Sequence, residues 1–411
     1  MRHVISPYDS QPLDDPSFWA SKWRAGLLTL DPAVVNPRLA ARSQKVWDPL
    51  AIGKLPAAEL RRWIEEALVP DSWWQVLDGK RATEAERCGL LAARDLEAVR
   101  DFGGNRYGVT VRRSGLRSLP TSRRGQKLVD EDGFDRLQHT ALEPLTPLAL
   151  LHPSRDRHWW FVLAPDYRGW VRAADIATSE RPREIAALLE RQGPVLLEAL
   201  AELAASGGGT PLQLGDRLPG FKGAEMPFPK RSPTGDLQVG TARLLGEPRL
   251  AAAWPELTPK TLFEVAFSAL GQPYGWGDLT PNGPGRDCSR YVQDVFKTFG
   301  FTLPRDASAQ CAASEPALTF APAEGHAARA ARLARLKQGP ALLCMPGHIM
   351  LYLGEVEGCH HAVHSFWAYK RPGKNGEETV PVRRVVVTSL DLGRNTSGGS
   401  LLERLTAVNL L

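Results

Sequence analysis

The sequence predicts a multidomain protein in which a helical N-terminal segment and two small all-β barrels precede an α+β domain. Three observations support this prediction. The 411 residues exceed the length that one hydrophobic core usually spans. The spacing of apolar residues changes along the chain from about 3.6 to 2. The last third combines a cysteine at a helix start with strands that carry histidines. We therefore divide the chain into segments 1–104, 105–180, 181–257 and 258–411.

Composition limits the classes of function. Hydrophobic residues make up 43% and charged residues 24% of the chain, as in ordinary soluble globular proteins. The net charge of +5 comes without a dense Lys/Arg tract, so we expect no nucleic-acid partner. No stretch reaches the ~20 apolar residues of a membrane-spanning helix. We expect a monomer without a metal or another cofactor.

Segment 1–104 has the period of helices. Phe18, Trp19 and Trp23 recur at helical spacing, and Thr83 with Glu86 forms a capping-box pattern before another helix. The tryptophans of this segment could form a sugar-stacking platform. At this spacing they are more often core anchors, which is the interpretation that we favour.

Segment 105–180 changes to the period of strands, with short apolar runs separated by turns. Its sequence RHWWFVLAPDYRGWV resembles the closing strands of a bacterial SH3-like domain. In segment 181–257, residues 183–205 have a helical pattern that Gly193-Pro194 breaks into two pieces. Short strands are predicted around 212–214 and 237–239. By analogy, we interpret this segment as a second, divergent SH3-like barrel.

The α+β segment contains a candidate nucleophile. A Gly- and Pro-rich loop ends in Asp287-Cys288-Ser289, and the apolar residues that follow repeat with the period of a helix that Gly300 ends. Cys288 is therefore predicted at a helix N-terminus, where free N–H groups and the helix dipole favour a thiolate. A lone cysteine is more often a small buried hydrophobe, but the preceding charge and glycine-rich loop distinguish this one.

Two strands downstream carry histidines. His348 begins the apolar run 348–353, and a second run, 362–365, follows a turn at Glu357-Gly358 and contains His364. Antiparallel pairing would bring His348 and His364 together as a base and the residue that orients it. His360 and His361 compete with His364 for the second role.

The remaining cysteines give no sign of a disulfide framework or a zinc site, because the five cysteines are sparse and no CxxC spacing occurs. Cys88, Cys311 and Cys344 lie in apolar surroundings and are predicted to be structural. Cys359 precedes His360 and His361, which suggests either a metal cluster or a polar hairpin tip. We favour the hairpin tip.

Five blocks in the last third, in this order, resemble the NlpC/p60 family of cell-wall cysteine peptidases: PYGWG, DCSRYVQDVF, LPRDASAQ, GHIMLYLG and AVHSF. The resemblance implies a papain-like domain that cuts peptidoglycan stem peptides between γ-D-glutamate and a diamino acid, meso-diaminopimelate or L-lysine. It also implies a whole-chain organisation with an N-terminal clip and two SH3-like domains. In such relatives the first SH3-like domain restricts entry to stem peptides with a free N-terminal L-alanine.

The resemblance also assigns roles. Cys288 corresponds to the nucleophile, His348 to the general base, His364 to the orienting residue, and Tyr274 to an oxyanion donor. The predicted substrate-binding residues are Asp287, Ser289, Trp276, Arg305, Trp160 and Glu143.

Several of these roles have alternatives. Asp287 can bind the alanine ammonium group, cap the helix, or do both. Arg305 can bind a substrate carboxylate or brace its loop. Trp160 and Glu143 are candidates for the wall that the first barrel provides. The chain departs from the family pattern at Arg290, where many members have glycine, and at Ala307, where serine is common.

Two other function classes remain open: a cell-wall binding protein with an inactive peptidase domain, and a thiol acyltransferase. The first residues, MRHVISPYDSQPLDD, have no apolar core or cleavage site, so no signal peptide is predicted. Because the resembled family usually acts outside the cytoplasm, we expect a periplasmic or secreted protein if a leader has been removed. A cytoplasmic location is the alternative.

Overall fold

A computed structural model of the chain describes residues 3–7, 12–23, 30–129, 131, 133–205, 208–280, 282–336 and 340–411. In these ranges, no helix has the length and apolar character needed to cross a membrane.

The short helices of the N-terminal segment pack against the first barrel and against the C-terminal domain. The capping box is confirmed, since Thr83 and Glu86 satisfy each other's backbone N–H groups at the start of a helix. Trp19 and Trp74 are fully buried, as expected of core anchors. The helices are Pro16–Lys22, Pro32–Ser43, Ala57–Glu66 and Glu84–Ala92, with short 3₁₀ turns at Asp71–Trp73 and Leu96–Ala98 and short strands at Val4–Ile5, Val76–Leu77 and Lys80–Arg81.

The first barrel is an antiparallel sheet closed around two apolar clusters. Trp170 and Phe161 lie at the centre of one cluster, and their ring centroids are 5.4 Å apart. Its main strands are Tyr107–Thr110, Ser114–Arg117, Gln138–Leu142, Pro147–Pro153, Trp159–Leu163, Arg168–Arg172 and Ile176–Ser179; the short strand Gly125–Gln126 pairs with the N-terminal segment.

The second barrel differs from its prediction in one half. The helical pattern after Pro182 gives a real helix, Pro182–Leu189, but the predicted second helical piece is wrong, because residues 200–205 form a strand. Leu203 from that strand is buried against Leu212 and Phe228, so tertiary packing overrides the local helical pattern. Strands run at Val195–Leu196, Leu200–Ala205, Gly208–Gln213, Glu225–Arg231, Leu237–Leu245 and Leu250–Ala251. Its identity as an SH3-like module stays a prediction.

The C-terminal domain stacks helices on a mixed sheet. The sheet consists of Ala341–Met345, His348–Val356, the long hairpin Cys359–Gly373 and Gly376–Ser389, Ala407–Leu410 and Glu315–Thr319; Val4–Ile5 pairs with it in parallel. The helices are Pro259–Phe267, Cys288–Lys297, Ala307–Ala313 and His326–Leu333, and short elements at Trp276–Asp278, Leu279–Thr280 and Gly283–Pro284 precede the helix of Cys288.

Side chains that alternate along the strand His348–Val356 face two separate hydrophobic cores, one on each side of the sheet. Leu351 and Leu353 face the helix of Cys288, whereas Met350 and Tyr352 face the opposite core. The N-terminal segment completes the first core, because Trp19 packs into it and Trp23 donates its Nε1–H to the Leu353 carbonyl at 2.7 Å. The strand of His348 is thus held firmly beside the helix of Cys288.

Candidate active site

Cys288 begins a helix at the bottom of a cleft of about 730 Å³. Asp287 is the N-cap, and its carboxylate accepts the Arg290 N–H at 2.9 Å. The helix-capping role of Asp287 is therefore present, as one of its alternatives predicted.

Three parts of the chain form the cleft. The N-terminal segment contributes residues around Val69 and Trp73, and the first barrel contributes residues around Arg136 and Tyr167. The C-terminal domain supplies the predicted site residues Tyr274, Trp276, Asp287, Cys288, Ser289 and Arg305. A peptide bound at Cys288 is therefore enclosed on two sides by parts of the chain outside the C-terminal domain.

His348 and His364 meet as the strand pattern predicted. Nε2 of His348 lies 2.6 Å from Nδ1 of His364, and Nε2 of His364 lies 2.9 Å from Oγ1 of Thr388. In the tautomer where each Nε2 donates along this chain, Nδ1 of His348 is unprotonated, as a general base requires. His360 instead contacts the Tyr352 hydroxyl, and His361 contacts Ser6.

The strand of His348 also contacts the nucleophile directly. The backbone N–H groups of Ile349 and Ser289 point at the Cys288 sulfur and lower the pKa of the thiol. Ile349 follows His348 in the chain, and the charge of Asp287, the residue before Cys288, acts on the pKa of His348, so the imidazole lies near the start of the helix of Cys288. Within the described ranges, no direct hydrogen bond links them.

Burial opposes the predicted thiolate. Burial raises the pKa of Cys288 to about 12, and the negative charge of Asp287 adds to this effect. These two effects outweigh the helix N–H groups, the Ile349 N–H and the Arg305 charge. Burial also lowers the pKa of His348 to about 3 and that of His364 well below its usual value. Burial therefore favours the neutral thiol and the neutral imidazole over their charged forms.

Arg305 braces the site. Its guanidinium donates to Asp287 (2.7 and 3.1 Å), to Asp278 (2.8 Å) and to the Ser289 hydroxyl (2.9 Å). Its Nε–H donates to Thr140 of the first barrel at 2.7 Å. Because all of its nitrogens donate within the protein and it is only 3% exposed, the geometry favours the bracing alternative over carboxylate binding.

Two predicted barrel residues lie outside the cleft. Glu143 is buried between Arg290 (2.7 Å) and Arg113 (3.2 Å), where it joins the barrel to the helix of Cys288. Trp160 is half-buried against the second apolar cluster of the barrel, with Arg106 over its ring. Neither lines the cavity at Cys288, so their prediction as substrate-wall residues is wrong.

An aromatic cluster that the sequence did not predict lies beside the cleft, and its members Trp73 and Trp276 line the cavity. Phe134 of the first barrel lies 4.6 Å from Trp367 and 5.3 Å from Trp276, measured between ring centroids, and Arg136 stacks over Trp276 and Trp73. The Nε1–H of Trp276 is buried without a hydrogen-bond partner among the described residues. These rings come from four distant stretches, so no local spacing could have grouped them.

The other cysteines differ from their predictions in two respects. Cys311 and Cys344 form a disulfide that lines the cleft, although the sequence analysis found no sign of a disulfide. Helix Ala307–Ala313 and strand Ala341–Met345 bring them together across 33 residues, which no spacing rule reveals. Cys88 is exposed and not a buried structural residue. The described residues contain no group of ligands suited to a metal near Cys359.

Comparisons with known proteins agree with this geometry. Residues 271–371 match the model of the NlpC/P60 family, and residues 129–172 match that of an SH3 domain of the SH3b1 type. A γ-D-glutamyl-L-lysine dipeptidyl-peptidase of Bacillus subtilis is 36% identical over 58 residues, 14% of this chain and 19% of that protein. A probable endopeptidase of Corynebacterium glutamicum is 32% identical over 75 residues, 18% and 35% of the two lengths. The matched regions thus span only a fifth to a third of these relatives.

The fold of the whole chain has a solved counterpart. The structure of an NlpC/P60 endopeptidase from Photobacterium damselae subsp. piscicida covers 99% of this chain and 93% of its own, with a TM-score of 0.71 and 18% identity. Together with the helix-borne Cys288 and strand-borne His348, these matches identify a multidomain protein with a papain-like α+β fold that contains an NlpC/P60 domain and, before it, an SH3 domain of the SH3b1 type.

Proposed function

We propose that the chain is a cysteine endopeptidase that hydrolyses the bond between γ-D-glutamate and the diamino acid of peptidoglycan stem peptides. The observation that carries this proposal is the placement of the Cys288 sulfur, which accepts the Ile349 N–H beside a His348–His364–Thr388 chain. The NlpC/P60 match and the names of the two relatives support a peptidase, and the name of the Bacillus subtilis relative supports a bond to γ-D-glutamate.

The reaction would begin with proton transfer and attack in one step. Nδ1 of His348 takes the proton from Cys288 as the sulfur bonds to the γ-carbonyl carbon of glutamate. Burial opposes either charge alone, but the thiolate and the imidazolium form a pair whose mutual attraction offsets that cost. His348 would thus act as a base during attack and not as the partner of a preformed thiolate.

The intermediate and the second half-reaction use the same groups. The Cys288 N–H and the Tyr274 hydroxyl would donate to the oxyanion; burial holds the pKa of Tyr274 well above 10, so it remains a donor. The imidazolium of His348 then protonates the leaving amine, and the carbon–nitrogen bond breaks. A water molecule, deprotonated by His348, hydrolyses the thioester and regenerates the thiol.

Substrate selection would follow from the enclosed cleft. The N-terminal segment at Trp73 and the first barrel at Arg136 wall the cleft, which supports the proposal that its substrates have a free N-terminal L-alanine. Among the described residues, one oxygen of Asp287 has only Arg305 as a partner, and this oxygen would accept the ammonium group. The other oxygen already accepts from Ser289, Arg290 and Arg305.

The Cys311–Cys344 disulfide supports a location outside the cytoplasm, because such bonds persist in oxidising compartments. We propose that the chain acts in the cell envelope. Fractionation of the producing cells would test this: recovery only in the cytoplasm, with both thiols reduced, would contradict it.

The activity is tested with L-Ala-γ-D-Glu-diaminopimelate and its L-lysine analogue, with products followed by mass spectrometry. We expect L-Ala-D-Glu and the free diamino acid, no products with Cys288→Ala, and unchanged turnover with the matched control Cys88→Ala. An unchanged substrate with the folded wild type would refute the peptidase proposal, and transfer of the acyl group to an added amine would indicate an acyltransferase. Equal turnover of the N-acetylated peptide would refute only the proposed requirement for a free amine.

A further inference from the structure

A second cavity lies on the far side of the Phe366 and Tyr369 rings from His348. It has a volume of about 370 Å³ and opens between the long hairpin and the segment 392–404. Glycines and hydroxyl side chains form much of its wall, and Tyr369, Lys370 and Arg404 also line it.

A row of rings connects this cavity with the site. The His348 and Phe366 ring centroids are 5.5 Å apart, and Phe366 stacks on Tyr369 at 6.5 Å. Thr406 lines the Cys288 cleft, and Arg404, two residues earlier, lines the second cavity. One short segment therefore borders both spaces.

The positive charge of Arg404 is unpaired among the described residues. Among the described residues, its guanidinium has no hydrogen bond or ion pair, whereas the neighbouring Lys370 is paired with Glu377 at 3.0 Å. Partial burial lowers the pKa of Arg404, and no carboxylate acts against that effect. The charge is close enough to His348 to contribute to lowering its pKa. An unpaired cation in a cavity wall is suited to an anionic ligand group.

The chemistry of the proposed reaction places the leaving group on this side. His348 must give its proton to the leaving nitrogen, so the diamino acid attached to that nitrogen lies toward His348 and away from the alanine end of the cleft. Diaminopimelate carries a carboxylate at the far end of its side chain, where lysine carries only an ammonium group. A cation beyond His348 would bind the first and repel the second.

We propose that Arg404 is a specificity residue that binds a carboxylate of the leaving diamino acid and thereby selects diaminopimelate over lysine. This inference rests on the proposed peptidase function. The diaminopimelate residue offers two possible sources of the carboxylate, its α-carboxylate and the carboxylate at the end of its side chain. Only the second source explains a preference over lysine.

The test compares kcat/KM for three tripeptides: L-Ala-γ-D-Glu-diaminopimelate, the same peptide with the distal carboxylate amidated, and the L-lysine peptide. For the wild type, we expect the first peptide to exceed the other two about tenfold, which is the low end for a hydrogen bond to a charged group. Arg404→Gln should remove this advantage, mainly by raising KM, and should leave the other two peptides unchanged. Arg371→Gln is the matched control, because Arg371 is exposed on the same hairpin and already paired with Glu378 at 3.0 Å.

Each outcome is informative. Equal loss for all three peptides in Arg404→Gln, or equal wild-type cleavage of the free and distally amidated peptides, would overturn the specificity role while leaving the peptidase function intact. If the folded wild type cleaved none of the peptides, the proposed function would fail first and this inference with it. Unchanged thermal unfolding of Arg404→Gln shows that the kinetic effect is not a loss of folding.

Discussion

Arg290 offers the sharpest test of how the first barrel is joined to the nucleophile helix. Its guanidinium is 5% exposed and contacts Asp294 (2.6 Å), Glu143 of the barrel (2.7 Å) and Asp278 (3.5 Å). Arg290→Met keeps most of the volume and removes the charge. Breaking a buried ion pair costs ~3–5 kcal/mol in the free energy of unfolding.

The remaining partners of the three carboxylates determine where in this range the loss in the free energy of unfolding falls. Each carboxylate keeps one arginine after the substitution: Asp294 keeps Arg286 at 2.8 Å, Asp278 keeps Arg305 at 2.8 Å, and Glu143 keeps Arg113 at 3.2 Å. No carboxylate is left wholly unpaired, so we expect the low end, about 3 kcal/mol.

The loss should also depend on pH, in a direction that Glu143 determines. Burial raises the pKa of Glu143 even with both arginines present. A carboxyl group whose folded pKa is raised contributes stability below its unfolded pKa of about 4.3 and loses that contribution as pH rises. Removing Arg290 raises the pKa of Glu143 further. The deficit of Arg290→Met is therefore larger at pH 7 than at pH 5.

The assay is denaturant unfolding of the whole chain at both pH values, monitored at the tryptophans. Arg371→Met is the control, because an exposed pair contributes at most ~1 kcal/mol. A double-mutant cycle with Glu143→Gln should show that the two losses are strongly non-additive. A deficit of Arg290→Met no greater than that of Arg371→Met, or additive losses, would refute the view that this pair fastens the barrel to the helix.

Three other substitutions test the site. His364→Ala should lower kcat roughly 100-fold by removing the partner of His348, whereas His361→Ala, on the same strand but bonded to Ser6, should leave kcat unchanged; equal effects would contradict the assignment. Asp287→Asn retains a helix cap and removes a charge that raises the pKa of the Cys288 thiol, so Cys288 should be alkylated faster at pH 8. The rate is measured by mass spectrometry of the peptide that contains Cys288, and a slower reaction would contradict this electrostatic explanation. The double variant Cys311→Ser, Cys344→Ser should have a free energy of unfolding about 3–4 kcal/mol lower than the wild type, because the loop between the two cysteines is no longer closed in the unfolded chain. The control Cys88→Ser should unfold like the wild type. Equal unfolding curves for the double variant and the wild type would show that the disulfide does not contribute to stability.

The sequence was most informative where local pattern and chemistry coincide. Apolar spacing after Cys288 predicted the helix Cys288–Lys297, and the turn at Glu357-Gly358 predicted the hairpin that brings His364 to His348. In both places, one local period decides which face of the element is buried. The capping box at Thr83 was readable for the same reason.

The failures concern side chains whose surroundings come from distant parts of the chain. Glu143 and Trp160 were placed in the substrate wall, but the direction of a barrel side chain depends on sheet closure, which a partial strand pattern does not define. The aromatic cluster around Phe134 requires a glycine at position 133 for two reasons. Gly133 has a left-handed backbone conformation (φ +80°), and a Cβ there would lie 2.1 Å from the Trp367 ring. Nothing near Gly133 in the sequence indicates that contact.

The resting state of the nucleophile shows the same limit and has a mechanistic consequence. A helix N-terminus alone predicts a thiolate, but the residue that caps this helix, Asp287, is a carboxylate adjacent to the sulfur and is held by Arg305. Its charge opposes the charge that the helix favours, and burial opposes it further. The site is thus built so that the sulfur becomes an anion only when a base receives its proton. In the proposed mechanism, His348 and not the helix therefore activates the sulfur, and catalysis depends most on the orientation of His348 by His364 and Thr388.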